Sequence, residues 1–130
     1  MKEDVEGRRV VAACADMLFA ARIRGTAQQA GAVVELVGSA AALHAAAAGA
    51  DLVLLDLGAR WLRAGEAIRR LKREAATAGV PVVAFVSHVD AGAIGEARDA
   101  GADAVLARSA FVRQLPVLLR GGPVRGAGAG

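Results

Sequence analysis

Short apolar runs alternate along the chain with stretches whose apolar residues recur at helical spacing. Val10-Val11-Ala12-Ala13-Cys14 reads as a first strand, Ala32–Val37 as a second and Asp51–Leu57 as a third. Pro81–Val86 and Ala104–Ala107 complete the set, because proline is tolerated at the first position of a strand. Leu52 to Leu55 is apolar without interruption, the pattern of a strand covered on both faces.

Helices fill the intervals. Asp16 is placed to cap one that runs to about Ala30. Leu18, Ile23, Ala27 and Ala30 fall near helical period there, and Gly31 stops it. Ser39 caps an alanine-rich helix, Ala40–Ala48, ended by Gly49. After a loop, Gly58–Trp61, a third helix runs from about Leu62 to Ala78. Asp90 caps a fourth that ends at Ala100-Gly101, and Ser109 caps a last one reaching about Arg120. Pro116 should kink or break that last helix.

Strand then helix, five times over, predicts an α/β fold: a flavodoxin-like, doubly wound, five-stranded parallel sheet with helices on both faces. The common order for such a sheet is 2-1-3-4-5, and its chemistry gathers beyond the C-terminal strand ends where the first and third strands part. The positions at that mouth are Cys14, Ala15 and Asp16, then Asp56 to Arg60, Val86 to His88, and Arg108 with Ser109. Residues 8–120 form the expected domain, between a flexible stretch at 1–7 and a disordered glycine-rich tail at 121–130.

Composition narrows the picture. A chain of 130 residues suits one domain. It holds 33 alanines and 16 glycines against three Phe, one Trp and no Tyr, so Val, Leu, Ile and Ala must build the core. A net charge of +3 is far from a polybasic signature, and nucleic acid is not an expected partner. Cys14 is the only cysteine, which excludes an intrachain disulfide. No apolar stretch approaches the ~20 residues of a membrane span, and no signal-peptide run opens the chain. The expectation is a cytoplasmic domain with no membrane contact. The glycines form neither a P-loop nor a dinucleotide fingerprint, and no Ser/His/Asp set is arranged for nucleophilic catalysis.

Three segments then carry a resemblance. They are Asp51-Leu52-Val53-Leu54-Leu55-Asp56-Leu57, Pro81-Val82-Val83-Ala84-Phe85-Val86-Ser87-His88 and Ala100-Gly101-Ala102-Asp103-Ala104-Val105-Leu106. In order and spacing they resemble response-regulator receiver (CheY-like) domains, across about Arg8 to Arg120. The resemblance implies a phosphoacceptor aspartate at Asp56. The family's acidic pair for Mg²⁺ falls on Cys14 and Ala15, with Asp16 on a third, often acidic place. Its Thr/Ser position falls on Val86, with Ser87 one residue late; its Lys falls on Arg108, and its strand-five aromatic on Val105.

Mg²⁺ takes oxygen ligands, so Asp16 and Asp56 are left as the carboxylates of a weak metal site, if any, and no other cofactor is expected. The reading that follows is a stand-alone, degenerate (pseudo-)receiver of a bacterial two-component or phosphorelay system. It would work through protein–protein interaction and not as an enzyme. The implied partners are a histidine kinase or an output protein, with a homodimer through the fourth and fifth helices. Val105, Phe111 and Leu115 are the apolar residues expected on that face. The alternatives are an active receiver phosphorylated on Asp56 with Mg²⁺, and a flavodoxin-like domain that binds a small molecule. Asp56 and Arg108 are expected to form a partly buried pair that holds the loop after the fifth strand.

Plainer readings compete for the remaining residues. Cys14 is expected as a small buried hydrophobe, although its place near a helix start favours a lowered pKa and a redox role. No Cys/His cluster surrounds His44 or His88, so His44 is placed on the surface of the second helix and His88 in the loop after strand four. Trp61, in the loop beside the site, is expected as a buried lid over the third helix, with an anchor for a partner as the alternative. Arg60, Arg63, Arg69, Arg70, Lys72 and Arg73 read as a solvated face, with Glu66 and Glu74 in ion-pairing reach.

Overall fold

Alternation along each strand sorts the core into two layers. In a computed structural model, which describes residues 7–88 and 90–123, five parallel strands stand in the order β2-β1-β3-β4-β5. The chain runs β1 (Arg8–Ala13), α1 (Met17–Ala30), β2 (Ala32–Val37), α2 (Ala40–Ala47), β3 (Leu52–Asp56), α3 (Ala64–Arg73), β4 (Val82–Val86), α4 (Ala91–Ala100), β5 (Ala104–Ala107) and α5 (Arg108–Leu119). Val10, Ala12, Leu52, Leu54, Val83 and Phe85 point to one side, against Phe19, Ile23 and Ala27 of α1 and Phe111, Leu115 and Leu118 of α5. Val11, Ala13, Val53, Leu55, Val82 and Ala84 point to the other, against α2, α3 and α4. β3 and β4 are buried at every position, as a strand covered on both faces requires.

The three Phe residues of the chain all meet on the α1/α5 side. Ring centroids of Phe85 and Phe111 lie 4.4 Å apart, and Phe19 sits 5.3 Å from Phe85 and 5.9 Å from Phe111. In an alanine-rich core these rings supply much of the volume, and truncating a fully buried one costs about 3–5 kcal/mol.

Local signals set most boundaries. Asp16, Ser39 and Asp90 each accept a backbone N–H from three residues on and so cap α1, α2 and α4. Gly31 and Gly101 close α1 and α4 in the left-handed region, with φ of 80° and 113°. Two helices differ from expectation. The third helix is shorter than Leu62 to Ala78. A 3₁₀ turn, Arg60–Leu62, comes first, and Arg63, at φ 50°, separates it from α3. At its far end the buried Thr77 hydroxyl donates to the Leu71 carbonyl at 2.6 Å, taking the acceptor a continued helix would need. The last helix starts at Arg108, with Ala107 and not Ser109 at the cap, and it continues through Pro116 to Leu119.

The strand-five end is fastened by Asp103. Its Oδ2 accepts from the Val82 N–H at 2.7 Å and from Lys72 Nζ at 2.8 Å, joining β4, the approach to β5 and α3. Gly7 donates to the Gly31 carbonyl and Gly121 to that of Leu118, so both glycines are bonded to the domain. The remainder of the expected flexible start, 1–6, and of the expected tail, 124–130, lies outside the described residues. No described helix is long and apolar enough to cross a membrane.

Candidate functional site

The parallel order brings the ends of β1, β3, β4 and β5 to one mouth, and Asp56 stands at its floor. Asp56 is the last residue of β3 and only 3% exposed. Its Oδ2 accepts from the Ala15 N–H at 3.0 Å and lies 3.6 Å from Cys14 Sγ; its Oδ1 accepts from the Gly58 N–H at 2.8 Å. Both carboxylate oxygens are therefore engaged by the protein's own donors, the compensation a buried charge needs.

Cys14, just past β1, is buried. Its single thiol hydrogen has two acceptors in reach, Asp56 Oδ2 and the Asp16 carbonyl at 3.3 Å. Burial pushes its pKa up to about 11, partly countered by a backbone hydrogen bond at Asp16 and reinforced by the negative charge of Asp56. Burial outweighs the helix start, so Cys14 is the small buried hydrophobe the sequence suggests and not a thiol of lowered pKa.

Asp16 serves two structures at once. Its Oδ1 caps α1 by accepting from the Phe19 N–H at 3.1 Å, and its Oδ2 faces Arg108 Nη1 at 3.4 Å. The Phe19 N–H and then Arg108 hold its carboxyl below the usual aspartate range. Arg108 also lies over the Phe19 ring, 4.1 Å from its centroid. The expected Asp56–Arg108 pair is thus corrected to Asp16–Arg108. Asp56 is satisfied from the β1 and β3 side, while α1 offers Arg108 both a carboxylate and an aromatic face. Phe19, which sequence reasoning did not single out, had a signal: with Ile23 and Ala27 it forms a four-residue spacing on the buried face of α1.

Val86 is 8% exposed and carries no donor, whereas Ser87 is exposed. With Arg60, His88 and Asp90, Ser87 lines a cavity of about 800 Å³ beyond β3 and β4. The docking residues expected on the α4–β5–α5 face are corrected too. Val105, Phe111 and Leu115 are 5%, 0% and 1% exposed and belong to the two core layers, because helical and strand periodicity turn them inward. Trp61 is 39% exposed and not a buried lid, since the 3₁₀ turn buries Leu62 instead. His44 is half-buried against α3 and not on the open surface of α2, and its Nδ1 has no hydrogen-bond partner.

The fold is that of response-regulator receiver domains. The match to a response regulator from Hahella chejuensis has a TM-score of 0.76 at 22% identity, covering 87% of this chain and 92% of that one. A second, also at 0.76 and with 20% identity, is to the receiver domain of the sensor histidine kinase PA1611 from Pseudomonas aeruginosa PAO1, covering 88% and 95%. That structure has a magnesium ion coordinated in its active-site cleft. A CheY-like receiver domain protein from Methanospirillum hungatei JF-1 matches at 0.72 with 17% identity, covering 85% and 88%. No protein-family model and no curated protein matches the sequence.

Magnesium asks for an octahedron of oxygen ligands. Here Ala15 has no side-chain oxygen, Cys14 offers sulfur, both Asp56 oxygens accept from the protein, and both Asp16 oxygens are engaged by Phe19 and Arg108. Among the described residues no group of three or more His, Cys, Asp or Glu is placed to hold a metal. This donor set does not fit the ion.

Proposed function

We propose that this chain is a degenerate receiver module of a bacterial two-component or phosphorelay system, acting in the cytoplasm by protein–protein contact and not as an enzyme. The observation that carries this reading is the closed state of Asp56, whose oxygens are held by the Ala15 and Gly58 N–H groups and the Cys14 thiol. Phosphoryl transfer to a carboxylate is catalysed almost wholly by positioning and charge neutralisation, with the cation as a main part. The mouth supplies no fitting cation site, and its arginine is turned to Asp16. The partner is a histidine kinase or an output protein, and a second copy docking through α4 and α5 belongs to the same reading.

The test is incubation with acetyl phosphate and Mg²⁺, followed by intact mass measurement. No added mass is expected. A gain of one phosphoryl group that disappears in Asp56→Ala would establish the active receiver instead.

A further inference from the structure

Two surface cavities are lined by several arginines, and they differ in what balances the charge. The cavity between α2 and α3, about 350 Å³, is lined by Arg63, Arg69, Arg70 and Arg73 together with the Glu66 carboxylate. Three of the four are paired, Arg63 with Glu66 at 3.1 Å, Arg69 with Glu96 at 3.8 Å and Arg70 with Glu74 at 2.8 Å. The cavity between α1 and α5, about 650 Å³, is lined by Arg22, Arg108 and Arg113 with the Ser87 and Ser109 hydroxyls, and by no carboxylate.

Two of the three guanidinium groups there are unspent, while Arg108 keeps its Asp16 contact and lies over the Phe19 ring. Among the described residues the side chains of Arg22 and Arg113 are exposed and make no ion pair or hydrogen bond. Arg108 meets Asp16 only through Nη1 at 3.4 Å, and its Nε is buried with no partner. No side chain caps α5, whose first turn carries Ser109 into the same cavity. Unanswered N–H groups and a helix N-terminus both favour an anion. Phe19 and Val112 add an apolar wall.

We propose that this groove binds a small molecule bearing a phosphate group, with the phosphate on Arg22, Arg108, Arg113 and Ser109 and an apolar portion along Phe19 and Val112. A phosphate dianion presents more oxygens than a carboxylate and so answers three guanidinium groups and a hydroxyl. The volume falls in the range of small-molecule sites, roughly 300–1,000 Å³. The site does not involve Asp56; it shares Ser87 and Arg108 with the mouth described above.

The test is titration of the full chain with phenylphosphonate, read by amide chemical shifts in ¹⁵N-labelled protein. This probe keeps the dianion and an apolar ring but has no transferable phosphoryl group, so its outcome is independent of phosphorylation at Asp56. Saturable shifts are expected at Arg22 and from Ala107 to Val112. The double variant Arg22→Ala/Arg113→Ala should bind at least about tenfold more weakly with an unchanged melting temperature, because both side chains lack partners in the fold. Arg63→Ala/Arg73→Ala, in the other cavity, should bind normally. The proposal is overturned if no saturable shift develops at millimolar ligand, if the shifts centre on α2 and α3, or if the Arg22/Arg113 variant binds as the parent does. Inorganic phosphate should bind more weakly than phenylphosphonate, and equal affinity would remove Phe19 and Val112 from the site.

Discussion

Arg108 Nη1 lies 3.4 Å from Asp16 Oδ2, so one guanidinium ties the start of α5 to the start of α1. The same group covers the Phe19 ring, itself part of the Phe19–Phe85–Phe111 cluster. The loop after β5 is therefore anchored to the aromatic core through α1, while Asp56 is held separately from β1 and its own loop. A change at Asp56 has no direct bond through which to move Arg108.

Removing either member of the Asp16–Arg108 pair should loosen α1. Arg108→Ala forfeits the ring contact, worth about 0.5–1 kcal/mol, together with a part-buried ion pair. Asp16→Ala should lower stability more than Asp16→Asn, because Asn keeps a capping oxygen for the Phe19 N–H. The folded Asp16 has a depressed pKa, so its contribution is complete above the unfolded aspartate pKa and is lost as pH falls through the lower folded value. Urea midpoints measured down the acid limb should fall less steeply with pH in Asp16→Ala than in the parent.

Asp56→Asn should destabilise the domain by about 1–3 kcal/mol. The amide keeps one acceptor oxygen, but its NH₂ group faces whichever backbone N–H, Ala15 or Gly58, the oxygen does not serve. Urea denaturation measures this directly. An unchanged midpoint would mean that these donors do not hold the carboxylate.

The sheet was legible in the sequence because parallel strands buried on both faces leave unbroken apolar runs, as at Leu52 to Leu55, and because Asp16, Ser39 and Asp90 are capping residues in the right places. Helix ends set by tertiary partners were not. Nothing local marks Thr77 as the residue that stops α3, since its acceptor, the Leu71 carbonyl, is defined only once the chain has turned. At the mouth, the sequence showed which residue types gather but not which pairs form. Asp16 and Asp56 both carry a carboxylate near Arg108 in the topology. The choice fell to Asp16 because Phe19 lies beside it and because backbone N–H groups already serve Asp56. Burial of Phe111 and Leu115 was readable from their four-residue spacing, which the assignment of a docking face overrode.

His44 gives the fold a sensitivity to mild acid. Burial first, and then Arg70 opposite it, hold its pKa below the ordinary histidine value, with Glu74 opposing. The unfolded chain therefore binds a proton that the folded one resists. Its contribution to stability is complete above the unfolded pKa, near 6.5, and declines as pH falls through the lower folded value. The melting temperature of the parent should drop on going from pH 7 to mildly acidic solution, and His44→Leu should reduce that drop. Imidazole proton shifts followed through the titration give the folded pKa itself.

Cys14 is where the metal argument can be turned around. Its thiol, with a pKa of about 11, is almost entirely protonated at neutral pH, so alkylation by iodoacetamide should be slow in the folded chain and fast in urea. Cys14→Asp replaces a poor ligand for a hard cation by a carboxylate beside Asp56, whose Oδ2 lies 3.6 Å from the sulfur in the parent. In EDTA this variant should melt below the parent, because two like charges then share a buried site. With Mg²⁺ at about ten times a millimolar dissociation constant it should regain about 1.4 kcal/mol, or roughly 3–6 °C. The parent should not respond to Mg²⁺ in the same scan. A parent that gains as much as the variant would mean that Asp16 and Asp56 hold the ion by themselves, which requires both to release the donors that now engage them.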